Sequence, residues 1–374
     1  MSPEQGGDGS RGGLMFIMRR FSGGGVQRQT VSLIAEMMRQ GERPSLLVLD
    51  GRGPIRTQVP DGCEVVDLGC PDLNRAMLPL ARELRRRRPR VVISTHRPVN
   101  WRLVLLRLLL HQPQHLILTE RNPLHSARSR YAGLRVKAQP IWIHFLYPFA
   151  SRLVAVSTDV AESLRSIARL RMDVAVIPNG IDLVSAWRQA EEAAAHPWIH
   201  EPDCELVLGI GRLTTQKDFH TLLRAFARLP GRLSRLIILG EGPDRGALQA
   251  LSRELGIGER VALPGFVLNP FPFLKRCDVF VSSSRWEGFG NVILEAMACG
   301  APIVATDCPG GPHEILEDGV FGALVPVADV EAMAQAIRRA IDAPPDRERI
   351  VAAAGAHSIE STARQYIELI EGLG

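Results

Sequence analysis

Two glutamates, Glu287 and Glu295, have seven residues between them in the segment SSSRWEGFGNVILEAMACG. The loop 288–290 is rich in glycine, and a helix is predicted to begin near Asn291, which places Glu295 on its second turn. The free amide N–H groups at the start of a helix bind anions, and carboxylates accept hydrogen bonds from hydroxyl groups. The segment is therefore suited to binding a phosphate and a sugar side by side, although the same spacing also fits a solvated helix face.

Two cations, Arg212 and Lys217, lie in the segment GIGRLTTQKDFHTLLRAF. Arg212 follows a predicted buried strand and Lys217 opens the next predicted helix, so both are expected at the carboxyl edge of a sheet. The chain has only three lysines, at positions 137, 217 and 275, which makes a lysine here informative. A guanidinium can bind a phosphate with two donors and an ammonium adds a point charge, a combination that suits a diphosphate. The competing interpretation is a surface pair that binds helix carbonyls.

Three consecutive glycines, Gly23, Gly24 and Gly25, follow a predicted strand and precede an amphipathic helix. Such a loop allows backbone N–H groups to approach an anion closely, and it is also common as a purely structural turn. It lacks the GxGxxG spacing of dinucleotide-binding proteins, which disfavours a nicotinamide-dependent enzyme.

The sequence contains no DxD motif, so we expect no metal ion bridging a diphosphate and no other cofactor. The six cysteines, at positions 63, 70, 204, 277, 299 and 308, form no CxxC pair and no zinc-type spacing with histidine. This pattern favours a reducing, cytoplasmic location.

Short apolar runs alternate with longer helical patterns, which predicts α/β architecture with parallel sheets. Strands are predicted at 14–18, 45–49, 64–68, 91–94, 116–119, 153–156 and 174–177, and, after a break at 182–203, at 206–210, 236–239, 261–263, 279–282, 303–306 and 323–325. Helices of the second series are predicted near 217–228, 244–255, 291–299 and 329–342.

The break predicts two doubly wound Rossmann-like domains, 1–183 and 184–374, which agrees with a length of 374 residues. The last helix, about 358–372, is expected to pack back on the first domain. Ligands of such sheets bind at the carboxyl ends of the strands, so the site is expected in the cleft where the two domains face one another.

The two predicted domains differ in charge. Residues 1–183 contain 27 Lys and Arg against 15 Asp and Glu, whereas the remainder contains 18 against 25. A basic half indicates an anionic partner, and no nucleic-acid motif accompanies it. Basic stretches at 82–90, 97–107 and 128–137, near the apolar and aromatic stretch 141–149, favour peripheral contact with an anionic membrane surface. Solvated helix ends explain the same charges equally well.

Several motifs of this chain together resemble the retaining glycosyltransferases of family 4, which have the GT-B fold. They are IPNGID (177–182), the segment around Arg212, LIILGEGPDR (236–245), the stretch 278–316 and GALVPVAD, with a looser match in SGGG and ILTERNP (117–123). The resemblance implies that Arg212 and Lys217 bind the donor diphosphate and that Glu295 binds the ribose. It further implies that sugar and phosphate are bound by Glu287, Gly288, Phe289, Gly290, Asn291 and Val292.

The resemblance implies transfer of a hexose or N-acetylhexosamine from a nucleotide diphosphate-sugar, UDP-sugar on family grounds, to a glycan or lipid-linked hydroxyl in cell-envelope polysaccharide or lipopolysaccharide synthesis. Several relatives carry a histidine near the reacting centre, whereas here the predicted strand 116–119 is followed by Glu120. Glu120 is therefore expected to orient or deprotonate the acceptor, with His96 as the other candidate.

Two other functions fit the same architecture. A non-hydrolysing sugar-nucleotide epimerase would release an isomerised sugar without an acceptor. A catalytically idle scaffold of a polysaccharide assembly complex would not need to keep Arg212, Lys217, Glu287 and Glu295 together.

Overall fold

The computed structural model describes residues 13–111, 114–124, 137–194, 196–201, 204–230 and 234–373. Seven strands form the first sheet: β1 (Leu14–Arg20), β2 (Ser45–Asp50), β3 (Val65–Asp67), β4 (Val91–Ser94), β5 (His115–Glu120), β6 (Arg152–Ala155) and β7 (Val174–Val176). Its helices are α1 (Gly25–Arg39), α2 (Met77–Arg87), α3 (Arg97–Leu110), α4 (Gln139–Leu146) and α5 (Thr158–Ile167). All strand pairs are parallel, and the order is β3-β2-β1-β4-β5-β6-β7.

After α6 (Leu183–Ala190), six strands form a second parallel sheet: β8 (Glu205–Ile210), β9 (Ser234–Leu239), β10 (Val261–Gly265), β11 (Val279–Ser282), β12 (Ile303–Thr306) and β13 (Ala323–Val325). Their order is β10-β9-β8-β11-β12-β13. The helices are α7 (Phe219–Phe226), α8 (Arg245–Glu254), α9 (Phe271–Arg276), α10 (Asn291–Ala298), α11 (Pro312–Ile315), α12 (Val330–Asp342), α13 (Arg347–Ala354) and α14 (Ile359–Glu371).

The predicted architecture of two doubly wound sheets is confirmed. All thirteen predicted strands are found, with ends displaced by two residues at most. The central strands are mostly apolar and buried, whereas β3 and β10, at the ends of the two sheets, are largely half-buried. In β1, five buried residues precede the half-buried Arg19 and Arg20.

The last helix, α14, packs against α1 of the first domain. Its Ile359, Ala363 and Tyr366 are buried in the same apolar cluster as residues of β1, β4 and β5. The hydroxyl groups of Tyr366 and Thr119 lie 3.2 Å apart, within hydrogen-bond distance. The chain therefore crosses twice between the two sheets, which ties the second domain to the first.

None of the helices in the described part of the chain has both the length and the apolar character that a membrane span requires.

Candidate active site

Lys217 and Glu287 form an ion pair at the carboxyl edge of the second sheet, with 2.5 Å between Lys217 Nζ and Glu287 Oε1. They follow β8 and β11, which pair with one another. Only 18% of the Lys217 side chain and 9% of the Glu287 side chain are exposed. Ser284 Oγ donates a hydrogen bond to the same Glu287 oxygen over 2.6 Å. The structure thus brings together two predicted site residues that are far apart in the chain, and it fixes the Glu287 carboxylate.

Arg212 lies beside this pair at the end of β8 and is exposed. Its guanidinium donates to Gln216 Oε1 over 3.3 Å, and Gln216 in turn donates to the Trp286 carbonyl over 3.0 Å. Within the described ranges, no carboxylate lies within ion-pair distance of Arg212. Its charge is therefore available to a ligand in the cleft.

The helix α10 begins at Asn291, as predicted, after Gly290 with φ of 105°. A positive φ is unfavourable for side chains with a Cβ, so the glycine allows the loop to turn directly into the helix. Glu295 lies one turn further on. Burial raises the pKa of Glu295, while Arg28 and Lys217 oppose this shift. The amide-rich start of α10 and three charged groups thus surround one region of the cleft.

Arg28 is a site residue that the sequence analysis missed. It lies on the first turn of α1, three residues after the predicted glycine loop, and its guanidinium donates to the carbonyls of Val267 and Leu268 in the second domain. The cation crosses the cleft and faces Glu295. Its position shortly after the glycine loop was the only signal in the sequence.

The glycine loop itself contacts α10. The Asn291 side chain donates to the Gly25 carbonyl over 3.1 Å and accepts a hydrogen bond from Asn179 over 2.7 Å. Arg121 donates to the same Asn179 side chain over 2.9 Å. Asn179 belongs to the IPNGID motif, but its contact with Asn291 was not predicted. These bonds hold the start of α10 against the first domain.

Gly288 approaches the first domain most closely. A Cβ at this position would lie 1.7 Å from the Arg121 carbonyl oxygen, and Ser157 Oγ donates to the Gly288 carbonyl over 2.8 Å. Phe289 is buried beside it and Val292 is half-buried. Only glycine allows this contact, so the loop after Glu287 serves both as part of the site and as a contact between domains.

The surroundings of Glu120 do not favour the expectation that it orients or deprotonates the acceptor. Glu120 is 1% exposed, and its Oε2 accepts from Arg97 over 2.6 Å. Its Oε1 accepts from Asn100 over 3.0 Å and from the Tyr147 hydroxyl. Both oxygens are occupied in a buried network, because the strand end lies beneath α3 and α4 rather than in the open cleft. Glu120 positions Arg97 instead.

His96, unlike Glu120, has a side-chain atom that is not hydrogen-bonded within the described part of the protein. It follows β4, its Nδ1 is buried without a hydrogen-bond partner among the described residues, and burial together with Arg19 and Arg97 lowers its pKa to about 4. The imidazole is therefore neutral near pH 7, and its Nδ1 is open to a hydrogen bond with a ligand.

A group of three residues, Asp159, His313 and Glu314, has side-chain atoms within 4.8 Å of one another, a distance suited to a metal ion. However, Glu314 Oε1 accepts from the Thr158 amide over 2.8 Å, and Asp159 Oδ2 accepts from the Gly310 amide over 2.7 Å. These carboxylates satisfy backbone donors across the domain contact, close to the backbone of Glu287. We assign them a structural role.

The two doubly wound domains, with the cationic cleft between them, have the architecture of the GT-B class. Residues 192–357 match the family model for glycosyl transferases group 1, and residues 23–185 match that for glycosyltransferase family 4. Together the matches cover most of the chain, which belongs to the family 4 glycosyltransferases.

Two curated relatives and one solved structure illustrate the similarity. The N-acetylgalactosamine-N,N'-diacetylbacillosaminyl-diphospho-undecaprenol 4-alpha-N-acetylgalactosaminyltransferase of Campylobacter jejuni is 34% identical over 54% of this chain and 53% of its own length. The lipopolysaccharide core biosynthesis glycosyltransferase LpsD of Rhizobium meliloti is 28% identical over 88% of both chains. HepE of Anabaena, solved with UDP and glucose, superposes with a TM-score of 0.78 over 96% of this chain and 99% of its own, at 19% identity. The match thus spans about half of the Campylobacter relative.

Proposed function

We propose that this chain transfers a hexose or N-acetylhexosamine from a UDP-sugar to the hydroxyl of a glycan or lipid-linked acceptor. The observation that carries the proposal is the gathering of Arg212, Lys217 and Arg28 around the start of α10. The HepE complex with UDP and glucose supports the choice of donor, and the name of the Campylobacter relative supports a lipid-linked acceptor.

The geometry supports a leaving group stabilised by fixed charges. Lys217 and Arg212, with the first amides of α10, neutralise the negative charge that develops on the departing diphosphate, and they do so without a metal ion. Glu295 accepts hydrogen bonds from the ribose hydroxyls. Because these groups are held before the donor binds, little reorganisation is needed during the reaction.

Where no side chain acts as a nucleophile, retention of the anomeric configuration requires the acceptor to attack from the face that the diphosphate leaves. The C–O bond to the acceptor forms as the bond to the β-phosphate breaks, and the acceptor proton passes to the β-phosphate oxygen. Glu287 is not suited to act as a nucleophile, since its Oε1 already accepts hydrogen bonds from Lys217 and Ser284. It instead positions Lys217 and contacts the sugar.

Replacing Gly288 with alanine is expected to lower turnover by about 10-fold or more, since the new Cβ would meet the Arg121 carbonyl and separate the domains at the site. Turnover should be compared with that of Gly246→Ala, where nothing lies within 4 Å of the added Cβ. Normal turnover in Gly288→Ala would show that the described contact between the domains is not needed for the reaction.

His96 is proposed to contact the acceptor hydroxyl. Because its pKa is lowered to about 4, kcat/KM for the acceptor should remain level as the pH falls from about 7.5 to about 5. His96→Asn should lower kcat/KM by about 10-fold or more, whereas the exposed His200→Asn should not. An acidic limb at the ordinary histidine pKa of 6.5 that His96→Asn abolishes would contradict the buried, neutral state.

Peripheral contact with an anionic membrane is proposed for the surface of α3 and α4. Trp101 and Trp142 stack there with ring centroids 6.4 Å apart, and Arg102 lies 4.0 Å from the Trp101 centroid. Large apolar side chains are exposed at Leu108, Leu109, Ile141, Trp142, Phe145 and Phe149. Apolar side chains beside arginines suit insertion between anionic headgroups.

The basic stretch 82–90 contributes less to this surface. In 82–90, Arg86 and Arg87 form ion pairs with Glu83, and Arg87 also pairs with Glu64. Most of the stretch 128–137 lies outside the described residues. We therefore place the membrane contact on α3 and α4.

Phe145→Glu is expected to reduce sedimentation with anionic liposomes at low salt, since it puts a charge into the apolar surface. The matched control is Val320→Glu, another exposed apolar residue, which lies in the second domain. Wild-type protein should sediment less as salt rises. Failure of the wild type to sediment at low salt would exclude the membrane contact.

The direct test of the proposed function is a panel of UDP-, GDP- and ADP-sugars with candidate acceptors, read as release of nucleoside diphosphate with and without chelator. We expect acceptor-dependent release from a UDP-sugar that persists in chelator. Sugar isomerisation without an acceptor would indicate an epimerase, and absence of donor binding would indicate a scaffold.

A further inference from the structure

Buried polar atoms without a hydrogen-bond partner are concentrated at one edge of the first sheet. Such atoms occur on nine side chains in the described part of the chain. Five of these side chains lie at the carboxyl ends of the three adjacent strands β1, β4 and β5. They are Arg19 and Arg20 in β1, Thr95 and His96 after β4, and Arg121 after β5. Buried polar groups are normally hydrogen-bonded, because an unpaired one loses its contact with water and gains nothing in return. Their concentration at the cleft indicates a ligand that supplies the missing partners.

Two of these side chains lie side by side. In the three adjacent strands β1, β4 and β5, the last residues paired with one another are Ile17, Ser94 and Leu118. Two residues further along each strand direction lie Arg19, His96 and Glu120. Side chains alternate along a strand, so these three face the same side of the sheet. Glu120 is already neutralised by Arg97. The row therefore offers a ligand a guanidinium from Arg19 and a neutral imidazole from His96.

The charges at this edge do not balance. Arg20 has a carboxylate partner in Asp50, at 3.5 Å. Among the described residues, neither Arg19 nor Arg121 has a carboxylate within ion-pair distance. Arg121 is only 6% exposed, and burial lowers its pKa. A buried cation without a counter-ion carries a desolvation cost that an anionic ligand would offset.

The proposed donor site does not account for these unpaired positive charges. The groups placed around the diphosphate are Lys217, Arg212 and Arg28, together with the start of α10. Arg19, near the end of β1, and His96, just after β4, lie instead on the side of the sheet that packs against α2 and α3. The buried Nδ1 of His96 has no partner there among the described residues.

We propose that the acceptor carries an oxyanion, a phosphate or a carboxylate, which Arg19 binds while His96 contacts the attacking hydroxyl. This proposal rests on the proposed function and narrows its acceptor. Adjacent strands are about 5 Å apart, roughly the width of one sugar ring, so the oxyanion and the attacking hydroxyl belong to the same sugar or to the bond beside it. A sugar joined directly to a lipid diphosphate and an acidic sugar within a glycan both meet this condition.

Calorimetric binding to protein saturated with UDP tests the proposal and separates these sources. Each anionic probe is compared with a neutral match: farnesyl diphosphate with farnesol, N-acetylglucosamine 1-phosphate with its methyl glycoside, and galacturonic acid with galactose. At least one anion should bind about 10-fold or more tightly than its match, as expected for a charge-assisted hydrogen bond. Preference for farnesyl diphosphate would assign a lipid diphosphate, and preference for a sugar anion would assign an acidic glycan.

Arg19→Gln should remove that preference and leave the Kd for UDP unchanged. Arg43→Gln removes the same charge from an exposed position just before β2, at the opposite edge of the sheet. It should alter neither the Kd for the anionic probe nor the Kd for UDP. Equal binding of the anionic and neutral probes to the wild type would overturn the proposal whether or not the variant folds. An equal loss of UDP affinity in Arg19→Gln would also overturn it, because Arg19 would then belong to the donor site.

A failure of UDP to bind the wild type would contradict the proposed function instead. The comparison of anionic with neutral probes on nucleotide-free protein would then still decide whether the oxyanion site exists.

Discussion

Replacing Lys217 with alanine is expected to lower turnover on the order of 10²-fold or more, since the variant loses a fixed positive charge beside the leaving diphosphate. The ammonium lies 2.5 Å from Glu287 Oε1, and both side chains are largely buried. The substitution therefore also leaves a negative charge without its partner, next to a ligand that is itself negative. Turnover with saturating donor measures the loss.

Lys275→Ala is the matched control, since Lys275 also pairs with a glutamate, Glu191, but on the surface. Exposed ion pairs contribute little to stability, and this one is outside the cleft, so turnover should be unchanged. The double variant Lys217→Ala, Glu287→Gln removes the uncompensated charge and should recover stability without recovering turnover. Near-normal turnover in Lys217→Ala would place the leaving group elsewhere.

Replacing Glu295 with alanine is expected to lower turnover by a similar factor, on the order of 10²-fold, through loss of its hydrogen bonds to the ribose. Burial raises the pKa of Glu295, whereas Arg28 and Lys217 lower it, so these cations favour the ionised, accepting form. The Glu295 side chain has no hydrogen-bond partner among the described residues, which leaves its carboxylate oxygens for the donor.

A donor that lacks the ribose 2′ and 3′ hydroxyls separates this role from a structural one. With that donor, the wild type should fall to the level of Glu295→Ala, and the variant should fall no further. Glu254→Ala, an exposed glutamate at the end of α8, should behave as the wild type with both donors. An additional loss in the variant with the deoxy donor would mean that Glu295 does not bind the ribose.

The architecture could be predicted from the sequence because both sheets are parallel and covered on both faces. Most strands then contain a short apolar run, as in β1, β8 and β11, and polar residues or glycine follow that run at the carboxyl edge. The start of the helix at Asn291 could be predicted because it depends on a neighbouring residue: Gly290, immediately before it, adopts a positive φ.

The part of the site contributed by the first domain could not be predicted in the same way. Arg28 reaches the carbonyls of Val267 and Leu268, Arg121 contacts Gly288, and Asn179 binds Asn291, all through packing between the domains. Each of these partners lies more than a hundred residues away in the chain. No local pattern encodes such contacts.

Glu120 shows the opposite difficulty. A carboxylate at the end of a central strand resembles a catalytic group, because that is where such groups occur in α/β proteins. Its role depends on Arg97 and Tyr147, which approach from α3 and from the chain after α4. Whether an ionisable side chain faces the cleft or a buried partner is decided by the helices that cover the strand end.

The arrangement of cations around the start of α10 is tested most directly by a crystal structure of the complex with UDP. The proposed site predicts the diphosphate within hydrogen-bond distance of Arg212, Lys217 and the first amides of α10, with the ribose on Glu295. A nucleotide bound away from these groups would contradict the assignment of the donor site.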